Sequence, residues 1–74
     1  MSTIRFVQVR AVRFGTGEAV WCKPENADAF SVYIGEPGDF VWIADFADQV
    51  DALMFTEAKA QMLGAEVDNR IGEV

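Results

Sequence analysis

The segment from Phe30 to Ala44 constrains the fold more than any other part of the chain. Phe30, Val32 and Ile34 alternate with Ser31 and Tyr33, then comes Glu36-Pro37-Gly38-Asp39, then the nearly continuous apolar run Phe40-Val41-Trp42-Ile43-Ala44. A period of two marks a half-buried strand. Pro at the second turn position and Gly at the third specify a type II turn, because only the third position needs a positive φ. Two such runs joined by such a turn pair as an antiparallel hairpin, 30–35/40–44. A lone hairpin is marginal in water, so the remaining chain has to extend it into a sheet or cover it with a helix.

A second hairpin precedes it. From Thr3 to Phe14 one parity carries Thr3, Arg5, Val7, Val9, Ala11 and Arg13, and the other carries Ile4, Phe6, Gln8, Arg10, Val12 and Phe14. The apolar residues change sides twice, which one extra residue in a bulge, or a strand bent over the core, would produce. Gly15-Thr16-Gly17-Glu18 supplies turn residues and Ala19 to Lys23 a short return strand, giving the hairpin 4–14/19–23. Pro24 opens a polar connection to Asp28. Of the 38 apolar residues ten are Ala, two are Leu and nine are aromatic, so the larger core candidates are types that favour pleated surfaces. Seventy-four residues support one core and therefore one domain, 1–74.

Residues 45–64 are ambiguous. As one helix they align Phe46, Val50, Leu53 and Met54, but the same stripe then meets Glu57 and Gln61. Thr56 suits an N-cap, Glu57 suits the first turn, and Gly64 suits a helix end. This reading predicts a helix over 57–63, preceded by a loop or extended segment that carries Ala52 and Phe55. Val67 and Ile71 permit a short final strand. The expected fold is α+β: an antiparallel sheet of four or five strands with one short helix packed on one face through Ala58, Met62 and Leu63. Its expected core is Phe6, Val9, Val12, Val32, Ile34, Trp42 and Phe55.

The chemistry is sparse. Cys22 is the only cysteine and there is no histidine, so neither an internal disulfide nor a Cys–His nucleophile pair can form. The expectation is a non-enzymatic protein of the cytoplasm, without cofactor, signal peptide or membrane span. Asp45, Asp48 and Asp51 recur every third residue, but calcium loops place ligands at alternate positions around a Gly turn, so a solvated acidic edge fits better than a metal site. Trp21, Tyr33 and Trp42 are candidate stacking platforms for bases. Their acidic flanks favour core or protein-interface roles instead. Arg5, Arg10 and Arg13 split between two strand faces by parity, so a continuous phosphate-binding stripe does not follow from them, and solvated strand edges protected by charge fit as well.

The net charge of −6 conceals an asymmetry. Residues 1–23 hold Arg5, Arg10, Arg13 and Lys23 against Glu18, a net of +3, while residues 24–74 hold eleven acids against Lys59 and Arg70, a net of −9. Between Pro24 and Ala58 there are eight acids and no base, a stretch that repels phosphate backbones and attracts basic surfaces. The order of Trp42, Asp45, Ala52, Phe55-Thr56, Ala58 and Leu63-Gly64, covering about a third of the chain, resembles small acidic α+β proteins of phages and mobile elements, anti-CRISPR proteins among them. That resemblance implies a single-domain inhibitor that binds a host protein in the host cytoplasm and blocks its access to nucleic acid. The partner is then a protein with a basic nucleic-acid-binding surface, with no direct nucleic-acid or membrane binding. Glu36, Asp39, Asp45, Asp48 and Asp51 are the candidate contacts, because turns and loops display carboxylates while strands bury their apolar faces. The alternative is a self-associating assembly module, such as a homodimer formed through strand edges.

Overall fold

The computed structural model describes residues 4–15, 17–36 and 38–73. Its order is β1 (Phe6–Phe14), β2 (Ala19–Trp21), a 3₁₀ turn at Pro24–Asn26, β3 (Ala29–Glu36), β4 (Asp39–Phe46), α1 (Gln49–Leu63) and β5 (Glu66–Asn69). This is the α+β architecture expected. The sheet runs β2-β1-β3-β4 with antiparallel neighbours, and β5 joins β1. One finding lies outside the expectation: β5 runs parallel to β1, from Phe6↔Glu66 to Val9↔Asn69. It therefore shares an edge of β1 with β2, which pairs further along at Val12 to Phe14.

Both hairpins form where the turn chemistry placed them. Gly38 has φ +85, as the third position of a type II turn requires. Pro37 and Thr16, also assigned to the turns, lie outside the described residues. The side-switching in β1 has a different cause from the bulge or bend expected. Its register with β3 runs without irregularity from Phe6↔Gly35 to Val12↔Ala29, so β1 is a central strand with apolar residues on both faces.

The bulge is in β4 instead. Val32 stands opposite Ala44 and Tyr33 opposite Trp42, leaving Ile43 as the extra residue. This overturns the core placement of Trp42. Simple alternation from Ala44 puts Trp42 on the helix side, but the inserted Ile43 turns it to the other face, where it is 59% exposed. The rest of the expected core divides: Val9, Val12 and Val32 are fully buried, and Phe6, Ile34 and Phe55 are half-buried.

The helix starts at Gln49 rather than at 57, with Asp48 as N-cap. Its buried residues are Ala52, Thr56 and Ala60, one every four, while Val50, Met54 and Met62 are exposed. Small side chains let the helix backbone lie close to the sheet. A stripe of Ala and Thr carries little hydrophobic contrast, so the period was not visible by size. Thr56 is a mid-helix residue whose hydroxyl donates to the Ala52 carbonyl at 2.7 Å, which satisfies it within a dry interface. The helix ends as expected at Gly64, in the left-handed conformation. The Gly64 N–H bonds the Gln61 carbonyl and the Ala65 N–H bonds the Ala60 carbonyl. Ala52 and Ala60 meet Val7, Val9, Ala11, Phe30 and Val32 in one core between helix and sheet. Phe46 and Phe55 pack at its margin with ring centroids 5.1 Å apart.

Candidate protein-binding face

The register decides what lies on the side of the sheet away from α1. Phe6, Gln8, Arg10, Val12 and Phe14 of β1 alternate with the helix-facing Val7, Val9 and Ala11, and their cross-strand partners share their face. These partners are Ala19 and Trp21 of β2, Ser31, Tyr33 and Gly35 of β3 and, beyond the bulge, Phe40, Trp42 and Asp45 of β4. α1 packs on the opposite face; on this one Val12, Gln8 and Ser31 are buried. Phe14 (52%), Trp21 (40%), Phe40 (39%) and Trp42 (59%) stay substantially exposed on it.

The rings are fixed rather than scattered. Tyr33 meets Phe40 edge-on at 5.5 Å, and Phe40 reaches Phe6 at 6.3 Å. Gly35 makes this close approach possible. Its φ is +152, and a Cβ there would sit 2.6 Å from the Phe40 Cα. At the bulge, the Trp42 indole Nε1–H donates to Asp45 Oδ1 at 2.9 Å, and the buried Ser31 hydroxyl donates to the same oxygen. Asp45 thereby holds the exposed indole in one orientation.

The side of this face nearest β5 is polar. Gln8 Nε2 donates to Asp68 Oδ2 at 2.9 Å, Arg10 Nε donates to Gln8 Oε1 at 2.9 Å, and the Arg10 guanidinium lies 3.4 Å over the Trp21 ring. Arg70 bonds Asp68 at 2.8 Å and Glu73 at 3.1 Å. Burial is the largest influence on Asp68 and opposes its ionisation. Hydrogen bonds from Gln8 and Arg70, with the charges of Arg70 and Arg10, outweigh it and hold the carboxyl below its ordinary range. Partial burial, and then the Arg70 charge, lower the pKa of Arg10. Hydrogen bonds to Asp68 and then Glu73 raise that of Arg70.

An open groove of about 490 Å³ runs between the β1–β2 turn and the Tyr33–Trp42 pair. Phe14, Glu18 and Ala19 line one side, and Ser31, Tyr33, Trp42 and Asp45 line the other.

The five acids singled out from sequence do not form one patch. Glu36 and Asp39 face each other at the tip of the β3–β4 hairpin. Asp48 and Asp51 lie at the start of α1. Asp39 and Asp45 stand six residues apart along β4, roughly 20 Å at the rise of a strand. Asp45 alone lies on the open face. Among the described residues no cluster of three or more His, Cys, Asp or Glu is placed to hold a metal ion. Cys22 is half-buried against the core margin. No described helix is long and apolar enough to cross a membrane. Sequence reasoning missed Glu18 and the shared face of Phe6, Phe14, Tyr33, Phe40 and Trp42. The parity of β1 was the available signal for Phe6 and Phe14, but the bulge concealed Trp42. No protein-family model, curated protein or solved structure matches the chain.

Proposed function

We propose that this chain is a non-catalytic inhibitor that docks on a basic, nucleic-acid-binding surface of a protein partner, in the manner of the small phage and mobile-element proteins its sequence resembles. The observation that carries this reading is the sheet face away from α1, on which Phe14, Trp21, Phe40 and Trp42 stay exposed beside the carboxylates of Glu18 and Asp45. Exposed aromatic clusters mark protein interfaces more often than solvated surface. Glu36 and Asp39 at one end of β4, with Asp48 and Asp51 near the other, flank the apolar residues with charge that would steer a basic surface toward them. On this reading the aromatic face supplies the buried contact and the acids supply orientation and rate.

The test is affinity capture from a bacterial lysate, repeated with a Tyr33→Ala/Trp42→Ala variant and with competing oligonucleotide. Recovered proteins should be nucleic-acid binders, released by the oligonucleotide and by rising salt, and lost in the variant. Neutralising Asp45, Asp48 and Asp51 together should slow association more than it speeds dissociation. Capture indifferent to salt and to competing nucleic acid would overturn the reading.

A second reading has its own support. Phe40, Val41 and Trp42 are exposed on β4, an edge strand of the sheet, and such an edge is a template for pairing between copies. A salt-independent dimer in light scattering would select the assembly module.

A further inference from the structure

We infer that the groove between the β1–β2 turn and Trp42 receives the guanidinium of an arginine side chain presented by the partner. This inference rests on the reading of the chain as an acidic protein-binding module. Three aromatic residues (Phe14, Tyr33, Trp42) and two carboxylates (Glu18, Asp45) line the groove, with only Gly, Ala and Ser between them and no basic residue among the described lining. Aromatic faces attract cations within about 6 Å, and a neighbouring carboxylate adds a hydrogen-bonded counter-charge. An anionic ligand meets repulsion in the same place. A nucleotide is disfavoured for that reason, although its base could stack.

The planarity of arginine suits the groove better than the compact ammonium of lysine, because a guanidinium can stack on a ring and bond a carboxylate in its own plane. The same face already shows this chemistry, with Arg10 stacked 3.4 Å over Trp21. Asp45 is prepared for such a ligand. Ser31 and Trp42 both bond its Oδ1, which fixes the carboxylate, and its Oδ2 has no hydrogen bond among the described residues. The net charge of −6 favours a basic protein over a second copy of this chain as the source of the arginine.

The experiment is an amide-correlation NMR titration of the full chain with Nα-acetyl-arginine amide. The matched citrulline compound, neutral and nearly isosteric, and the lysine compound serve as comparators. Arginine should move the Trp42 indole signal and the Glu18, Ala19 and Asp45 amides saturably. Lysine should do so several-fold more weakly, and citrulline should leave them in place. Glu18→Gln and Asp45→Asn should each weaken the arginine effect about three- to tenfold. Asp45→Asn keeps an acceptor for Ser31 and Trp42, and the dispersion of its spectrum reports whether it remains folded.

Equal shifts with arginine and citrulline, shifts centred away from the groove, or none up to about 100 mM would overturn the inference. So would concentration-dependent shifts of the same signals without ligand, since a second copy would then fill the groove. These failures are separable from failure of the functional reading. Salt-sensitive capture of nucleic-acid binders that persists in the Glu18→Gln/Asp45→Asn double variant rejects the groove and retains the module. Arginine binding without nucleic-acid-competitive capture does the reverse.

Discussion

The two faces of the sheet divide the apolar residues against the usual ranking by size. Toward α1 lie Val7, Val9, Ala11, Val32, Ala52, Thr56 and Ala60, with Phe30, Phe46 and Phe55 as the rings on that side. Away from it lie Phe6, Phe14, Trp21, Tyr33, Phe40 and Trp42, six of the nine aromatic residues in the chain. Small side chains set how near the helix can come, and close packing there stabilises more than bulk does. Most of the rings instead lie on the other side, where edge-on contacts hold Tyr33 and Phe40 and Asp45 holds Trp42. Side-chain size is therefore a poor guide to which face is the core. It is a better guide to which face is available to something else.

This division can be broken most decisively by the same kind of truncation on each side. Phe30→Ala, beneath the helix, should cost about 3–5 kcal/mol, a large share of the stability of so small a domain. Trp42→Ala, on the open face, should cost less than about 1 kcal/mol. Urea denaturation of both variants checks the pair, and the opposite order would mean that the faces are misassigned. Enlarging the small stripe comes next. Ala52→Leu should destabilise by about 1–3 kcal/mol through overpacking, whereas Met62→Leu on the exposed side of α1 should leave the midpoint almost unchanged.

The smallest expected effect is electrostatic. Because the folded state lowers the pKa of Asp68, its contribution to stability is complete above the unfolded value of about 4 and is lost as pH falls through the lower folded value. Asp68→Asn should therefore flatten the acid limb of a melting-temperature profile. The gap between the two proteins should narrow as the solution is acidified below about pH 4. A gap that widens there would mean that the polar side of the open face does not hold Asp68 ionised.

The hairpins were legible because their turns are written in Gly and Pro, and local chemistry suffices to place them. Gly64 was legible for the same reason. The first two turns of α1 were not: Asp48 and Gln49 carry no capping box, and the buried Ala52 and Thr56 are too small and too weakly apolar to mark a core-facing stripe. Trp42 was misplaced because one extra residue inverts a strand's phase, and nothing in Trp42-Ile43-Ala44 distinguishes a bulge from simple alternation. The parallel pairing of β5 depends on a partner sixty residues away in sequence, which no local pattern encodes. For the candidate site, the acids were visible as a charge run. The aromatic face was not, because it requires the register of four strands at once.

The position of β5 also orders events during synthesis. β1 is made some sixty residues before β5, so one of its edges lacks its partner over Phe6–Val9 until Glu66–Asn69 emerges. A nascent chain thus holds the centre of its sheet incomplete until β5 has been made, and closing that pair demands a long loop. The last edge of the central strand is therefore closed by a segment far along the chain, after the hairpins that border it have been made.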